Sequence, residues 1–194
     1  MNSRTSNIRD LKNAQGSAEW YTPSKYIEAA RSVMGGINLD PASCAEANKI
    51  VKADRFFTVE DDGLLQKWHT FALWLNAPGS TKRGVSNQAI WQRQLISAYR
   101  AGHVRQAILL IFNSSGTETQ WFQELLGRYP LCLTDHRIKF IPPEGVYENT
   151  KKNAPVHGNA FVYFGNRPYV FSSVFQQFGK IIPAWETDGL RVPE

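Results

Sequence analysis

The sequence has few of the residues that build disulfide-bonded, metal-binding or membrane-spanning proteins. Its 194 residues include two cysteines and four histidines, too few for a disulfide framework, and no histidine has metal-ligand spacing to another. No apolar run approaches the ~20 residues of a transmembrane helix. The polar start of the chain is not typical of a signal peptide. These absences predict a reduced, cytoplasmic protein with no metal site and no membrane segment.

Acidic residues are also missing over a long stretch, from residue 63 to residue 110. The bases in that stretch are Lys67, Lys82, Arg83, Arg93, Arg100 and Arg105. Residues 40–62, just before it, carry six acids against three bases. This separation predicts two surfaces with different partners, and a polyanion is the natural partner of the basic one. Chance clustering on a solvated surface is the alternative.

The length fits one compact domain. A hydrophobic share of 42% and an aromatic share of 12% exclude disorder as the main state of the chain. We expect a flexible lead-in over residues 1–16, a single domain over residues 17–185 and a short tail over residues 186–194.

Helix and strand signals alternate along this domain. Three helices are predicted, over residues 22–34, 88–101 and 117–127. Thr22 and Pro23 suit the first as N-cap and first helical residue, and Thr117 and Gln120 form a capping-box pattern for the third. Five strands are predicted, over residues 37–39, 71–75, 107–112, 131–134 and 161–164. The alternation predicts an α/β fold with a mostly parallel sheet, helices on both faces and ligands at the carboxyl ends of the strands.

Two polar turns follow predicted strands and are the first candidates for a site. One is Asp40-Pro41-Ala42-Ser43, and the other is Asn76-Ala77-Pro78-Gly79. An acidic segment at residues 60–63 lies between them, and Tyr21-Thr22-Pro23 precedes both. Sequences of this kind also form ordinary turns with no function, so each segment alone has a structural explanation.

Taken in order, these segments resemble the phage-type DNA N-6-adenine methyltransferase family. The resemblance rests on Glu-Trp-Tyr-Thr-Pro at 19–23, Leu-Asp-Pro-Ala-Ser at 39–43, Phe-Thr-x-Glu-Asp-Asp-Gly-Leu at 57–64, Asn-x-Pro at 76–78, Arg-Ile-Lys-Phe at 137–140 and Phe-Val-Tyr-Phe-Gly at 161–165. It covers residues 19 to 182. It implies a Rossmann-like methyltransferase fold, although the Gly-x-Gly loop usual after the first strand is missing.

The same resemblance implies S-adenosylmethionine as the cofactor. The residues expected to bind it are Tyr21, Thr22, Pro23, Asp40, Pro41, Ala42, Asp61 and Asp62. Asp40 at a strand end, with Asp61 or Asp62, would accept hydrogen bonds from the ribose hydroxyls and the amino group. A sulfonium cofactor is itself the electrophile, so no metal is required.

The segment Asn76, Ala77, Pro78 and Gly79 is the expected catalytic motif. Amino methyltransferases that act on DNA usually carry Asn-Pro-Pro-Tyr here. The Asn side chain and the next backbone carbonyl accept the two amine hydrogens, and the aromatic residue stacks on a flipped base. Gly79 lacks that aromatic ring, a loss of about 1–3 kcal/mol of stacking, or roughly one to two orders of magnitude in rate. Trp91, Phe140 or Tyr147 is a candidate to stack instead.

Seven basic residues are expected to contact DNA: Lys82, Arg83, Arg93, Arg137, Lys139, Lys151 and Lys152. The first two lie in a loop of hydroxyls and cations suited to a phosphate, and Arg93 lies on a helix that follows. Arg137 and Lys139 alternate with apolar residues as on a half-buried strand, and the last two lie in a long polar loop over residues 142–155.

The function predicted is site-specific methylation of the N6 amine of adenine in DNA, by a phage or prophage enzyme that protects DNA from restriction. Two alternatives stay open. One is an inactive or weakened module that still binds DNA and cofactor, because the catalytic motif is altered. The other is an enzyme that modifies a different group, such as the N4 amine of cytosine.

Overall fold

The computed structural model describes residues 20–79, 81–82, 85–112, 117–142 and 158–185. The strands are β1 (Leu39–Asp40), β2 (Arg55–Phe56), β3 (Thr70–Asn76), β4 (Thr81–Lys82), β5 (Val85–Ser86), β6 (Val104–Phe112), β7 (Leu131–Thr134), β8 (Asn159–Phe164) and β9 (Gly179–Ile182). The helices are α1 (Ser24–Met34), α2 (Ala45–Val51), α3 (Asn87–Arg100), α4 (Gln120–Gln123) and α5 (Pro168–Phe175). None of these helices is long and apolar enough to cross a membrane. The expected lead-in and tail, residues 1–16 and 186–194, lie outside the described residues.

Seven strands form one mixed sheet in the order β2-β1-β3-β6-β8-β7-β9, and β4 pairs with β5 in a separate hairpin. The pairs from β2 to β6 are parallel, and the three pairs from β6 to β9 are antiparallel. The expectation of a mostly parallel sheet is therefore wrong for half of the strand pairs. The reason is that β8 inserts between β6 and β7 in the opposite direction, and its six residues are all buried. A fully buried apolar strand carries no sequence signal for its direction.

Helices cover both faces of the sheet, as predicted. α1 and α5 pack on one face, called here the α1 face, against side chains such as Trp74 and Phe161. α3 and α4 pack on the other, the α3 face, against side chains such as Leu73 and Leu109. Two separate cores hold the sheet between them, and the end of each strand is thereby fixed in position.

The first predicted helix is confirmed, but its start differs. Pro23 is the N-cap of α1 and no side chain caps the helix, because the Thr22 hydroxyl is hydrogen-bonded elsewhere, to Asn76. At the other end, Gly35 takes the expected left-handed conformation, with φ 79°, and its N–H bonds to the Arg31 carbonyl.

Three other expectations need correction. The helix over 117–127 is reduced to the four residues of α4, whose N-cap is Thr119 and which has no capping box. Phe71, expected inside a strand buried on both faces, is 62% exposed near the start of β3. The segment around Arg137, expected as a half-buried strand, forms no strand and pairs with none of the described strands. Ile141 at its end forms a single antiparallel bridge, with Tyr21.

Candidate active site

The carboxyl ends of the parallel strands lie along one edge of the sheet, called here the carboxyl edge. Asp40 ends β1, Asn76 ends β3, and Phe112 ends β6, while Asn159 begins the antiparallel β8. The register pairs Asn76 with Leu110 and Phe112 with Asn159. Since side chains alternate between the two faces of a strand, all four point to the α1 face.

Asp40 is a carboxyl group with little access to water. Its residue is 3% exposed, and its Oδ1 accepts a hydrogen bond from the Ala42 N–H at 3.2 Å. Burial raises the pKa of Asp40 to about 7, and the Ala42 amide and the Ser43 hydroxyl offset this only in part. The buried Ser43 Oγ makes no well-aligned hydrogen bond to a described residue. A ligand with hydroxyl or ammonium donors would stabilise the ionised form of Asp40.

Gly63 brings the acidic segment against the turn after Asp40. A Cβ at Gly63 would lie 2.0 Å from the Pro41 carbonyl oxygen and 2.9 Å from the Trp91 ring, so only glycine permits this close approach. The Trp68 Nε1–H donates to the Gly63 carbonyl at 2.8 Å. The acidic segment is thus held beside the Asp40 turn by a backbone contact.

The two aspartates of that segment have different surroundings. The Asp61 Oδ2 accepts hydrogen bonds from the Thr58 N–H at 2.8 Å and the Thr58 hydroxyl at 2.9 Å. These two bonds lower the pKa of the Asp61 carboxyl. Asp62 is exposed, with a left-handed backbone at φ 48°. One oxygen of Asp61 therefore shapes the loop, and Asp62 is the more available acceptor of the two.

The segment before α1 connects the carboxyl edge to two other elements. Tyr21 pairs with Ile141 through two backbone hydrogen bonds of 2.8 Å, and its hydroxyl lies 4.0 Å from the Cys44 Sγ at the start of α2. Thr22 is 5% exposed, and its Oγ1 accepts a hydrogen bond from the Asn76 Nδ2 at 3.3 Å. This segment therefore joins the expected cofactor residues to the expected catalytic motif.

The side-chain amide of Asn76 is hydrogen-bonded through its nitrogen, whereas its oxygen has no partner among the described residues. The bond from its Nδ2 to Thr22 orients the amide group. Its Oδ1 is buried and has no hydrogen-bond partner among the described residues. Most buried polar atoms in folded proteins are paired, so an unpaired acceptor indicates a site for a donor that arrives with a ligand.

An aromatic ring lies next to the glycine of the motif. A Cβ at Gly79 would lie 3.3 Å from the Phe112 Cε2. The Phe112 ring also lies against the Phe140 ring, with centroids 5.5 Å apart. One aromatic side chain, Phe112, thus lies beside the motif position that has none, and a second, Phe140, packs against Phe112.

The three aromatic residues suggested to stack on a base differ in position. Phe140 is half-buried and packs against the α1 face, the face of Asn76. Trp91 is 8% exposed and packs into the core of the α3 face, where it stacks on Trp68 at 5.8 Å. Trp91 therefore belongs to the opposite core, and Tyr147 lies outside the described residues.

The expected DNA-binding residues are not all brought together. Arg137 and Lys139 are exposed on either side of the buried Ile138, near Asn159, whose Oδ1 accepts from the Ile138 N–H at 3.2 Å. Arg93 is exposed on α3, which packs on the opposite face of the sheet. The other expected DNA-binding groups lie outside the described part of the structure. They are the side chain of Lys82 and the residues Arg83, Lys151 and Lys152.

Comparison with known families identifies the chain. It matches the family described as DNA N-6-adenine-methyltransferase (Dam) over residues 10–181. The chain belongs to the Dam family. A search of curated proteins finds no match. Membership in the Dam family implies adenine N6 methylation, S-adenosylmethionine as methyl donor and DNA as substrate, and the seven-strand mixed sheet is consistent with a methyltransferase fold.

Three residues at the carboxyl edge of this Dam-family chain were not among the expected site residues. They are Ser43, Phe112 and Asn159. Ser43 is part of the turn that follows Asp40, so its position just after a predicted strand could have indicated a site residue. Phe112 and Asn159 gave none, because the side-by-side placement of β6 and β8 depends on long-range pairing. Among the described residues, no group of three or more His, Cys, Asp or Glu side chains could hold a metal ion.

Proposed function

We propose that this chain transfers a methyl group from S-adenosylmethionine to the N6 amine of adenine in DNA. The observation that carries the proposal is the unpaired, buried Oδ1 of Asn76, held in orientation by Thr22. An acceptor fixed in this way suits an amine hydrogen, which the exocyclic group of adenine supplies.

The residues beside Asn76 fit the cofactor that the family implies. Asp40 is a buried carboxyl group with unused acceptor capacity, and the Ser43 Oγ beside it makes no well-aligned hydrogen bond to a described residue. We assign cofactor binding to Asp40 and Ser43 in the turn with Pro41 and Ala42, with Asp62 and Tyr21 at its border. When bound, S-adenosylmethionine supplies a methyl group on a positively charged sulfur, which makes that carbon electrophilic.

The protein groups then act on the amine. The lone pair of an exocyclic amine is delocalised into the ring, so the amine is a weak nucleophile. The Asn76 Oδ1 and the Ala77 carbonyl would each accept a hydrogen bond from one of the two N–H groups of the amine. These two bonds favour a geometry in which the lone pair of the nitrogen points out of the ring plane. Such preorganised acceptors act without reorganisation at the moment of reaction, and removing one preorganised hydrogen-bonding group from an oxyanion hole costs about 3–4 kcal/mol, a scale we adopt here.

The DNA must present the adenine outside its stack. Phe112 lies beside Gly79 and packs on Phe140, and we propose that its ring replaces the missing ring of the motif. Arg137 and Lys139 are exposed on the adjoining segment and would contact phosphates. We assign the same role to Lys82, Arg83, Lys151 and Lys152, and a more distant one to Arg93. A phage or prophage origin, with protection of DNA from restriction, is the setting we propose.

The test is mass spectrometry of nucleosides from unmethylated DNA after incubation with the protein and S-adenosylmethionine. We expect N6-methyladenine with the natural chain and with Asn166→Ala, a matched change at an exposed asparagine, but at least a hundredfold less with Asn76→Ala. Another methylated base would overturn the adenine assignment.

The alternative function, a module that binds without reacting, gives a different result in the same experiment. It predicts calorimetric binding of S-adenosylmethionine and retention of DNA with no modified nucleoside. Absence of both cofactor binding and modification would overturn the cofactor assignment as well.

A further inference from the structure

A second buried amide lies at the carboxyl edge with an unpaired atom of the opposite kind. Asn159 is 3% exposed, and its Oδ1 accepts from the Ile138 N–H at 3.2 Å. Its backbone carbonyl accepts from the Thr134 hydroxyl at 3.0 Å. Its Nδ2, in contrast, has no hydrogen-bond partner among the described residues. The side chain is therefore held in place through its oxygen while a donor is left unused.

An unused donor in this position is costly for the fold. A buried polar group without a partner has given up its hydrogen bonds to water and gained none in the protein. Other buried amides of this chain are better satisfied: the Gln106 Nε2 donates to the Met34 carbonyl at 2.7 Å, and its Oε1 accepts from Tyr163. A buried amide atom is also unpaired at Gln92, but that residue lies on α3, which packs on the opposite face of the sheet from Asn76 and Asn159.

The positions of the two edge asparagines are complementary. Asn76 presents an acceptor and Asn159 a donor, both on the α1 face, with β6 between their strands. Two strand spacings and a two-residue offset put their Cα atoms roughly 12 Å apart. An asparagine side chain reaches about 4 Å from its Cα and a hydrogen bond adds about 3 Å, so the two amides together span this separation and can contact neighbouring atoms on one edge of the same base. Phe112, between them on β6, would face the base.

Adenine offers matching groups side by side on its Watson–Crick edge: the N6 amine, which donates, and ring nitrogen N1, which accepts. Enzymes that act on flipped bases read this edge. We propose, on the basis of the function proposed above, that Asn159 is a specificity residue whose Nδ2 donates to N1 of the target adenine. It would disfavour bases with a hydrogen on that nitrogen, such as guanine, while Asn76 engages the amine.

The experiment compares oligonucleotides with adenine, 1-deazaadenine or 7-deazaadenine at the target position. Equilibrium binding is measured with S-adenosylhomocysteine present, so that differences in reactivity do not enter. We expect the 1-deaza oligonucleotide to bind 5- to 100-fold more weakly than the adenine one, and the 7-deaza oligonucleotide to bind within about threefold of it, because a lost hydrogen bond to a buried donor costs about 1–3 kcal/mol. Equal binding of all three, or a loss with the 7-deaza base alone, would overturn the proposal.

The variant Asn159→Asp tests, in a second experiment, whether the Nδ2 group of Asn159 is the donor. It keeps an oxygen for the Ile138 N–H but removes the donor when ionised, so it is assayed at pH 8.5. We expect it to bind the adenine oligonucleotide at least as weakly as the natural chain binds the 1-deaza one, because the carboxylate also repels the N1 lone pair, with no further loss on combining the two changes. If the two losses add, Asn159 has only a structural role. Gln92→Met, a change in a buried amide on the other face, should leave the ratio between the bases unchanged.

Failure of the function proposed above looks different from failure of this inference. If the natural chain leaves adenine unmethylated, the function fails whatever the binding data show. If adenine is methylated and the three bases bind alike, the function stands and the role of Asn159 is refuted.

Discussion

Replacing Asp40 by asparagine should make the protein more stable at alkaline pH while it weakens cofactor binding. The carboxyl group is buried, and its pKa is raised to about 7. An acid with a raised pKa in the folded state holds its proton there but loses it in the unfolded chain. The folded state therefore binds more protons between pH 4 and pH 7, and the free energy of unfolding falls as the pH rises through that window.

The size of the effect follows from the two pKa values, 3.8 and about 7. Between pH 5 and pH 8, ionisation of Asp40 should lower the free energy of unfolding by roughly 2–3 kcal/mol. An asparagine side chain has no proton to lose, so the Asp40→Asn protein should lack this slope. A constant difference between the two side chains in packing or hydrogen bonding displaces one stability curve relative to the other by the same amount at every pH.

The assay is urea denaturation of both proteins at half-unit steps from pH 5 to pH 8. The difference in free energy of unfolding between variant and natural chain should rise with pH in favour of the variant. Saturating S-adenosylmethionine should reverse the preference at pH 8, because a bound ligand stabilises the folded form that binds it, and we expect it to bind the ionised Asp40. A difference that is flat with pH would refute the reasoning from burial. An unchanged affinity of Asp40→Asn for the cofactor would remove Asp40 from the cofactor site.

Three further changes test the carboxyl edge. Gly79→Tyr should lower the methylation rate measured by nucleoside mass spectrometry, because its Cβ would lie 3.3 Å from the Phe112 ring and displace it. Adding Phe112→Ala should restore the rate, and a double variant no faster than Gly79→Tyr would contradict the argument. Gly63→Ala should lower stability by about 1–3 kcal/mol and cofactor affinity at least tenfold by calorimetry. Gly36→Ala, where nothing lies within 4 Å of the added carbon, is the control that should change neither. Arg137→Glu should weaken DNA binding and reduce the slope of log affinity against log salt by about one or more, whereas an unchanged slope would place Arg137 away from the phosphates.

Local signals in the sequence predicted the helices and strands better than their arrangement. Gly35 ended the first helix where the pattern indicated, because a left-handed residue after a helix is a local requirement. The third helix failed because the capping-box pattern at Thr117 is short and common, and the chain there instead turns after four residues. The direction of β8 could not be predicted, since a strand buried on both faces has the same composition whether it runs parallel or antiparallel.

The residues of the candidate site likewise fall into those that the sequence predicted locally and those that depend on long-range strand pairing. Asp40 and Asn76 follow strands in the sequence, and the rule that ligands bind at strand carboxyl ends placed them together. Phe112 and Asn159 come from strands distant in the sequence and reach the site only because β6 pairs with β3 on one side and β8 on the other. The role of Gly63 is likewise invisible without the fold, because its need for glycine comes from the Pro41 carbonyl rather than from its own backbone conformation.

The altered motif is best explained by this long-range packing. In the sequence alone, Gly79 indicates a weakened catalytic motif, because the aromatic ring that would stack on a flipped base is missing. In the folded protein the space beside Gly79 is already occupied by the Phe112 ring, which in turn packs on Phe140. A Cβ at position 79 would lie 3.3 Å from the Phe112 ring, so a tyrosine there would push this ring out of its present position. The glycine and the phenylalanine therefore form a matched pair. On this reasoning the small residue marks a relocated aromatic contact rather than an inactive enzyme.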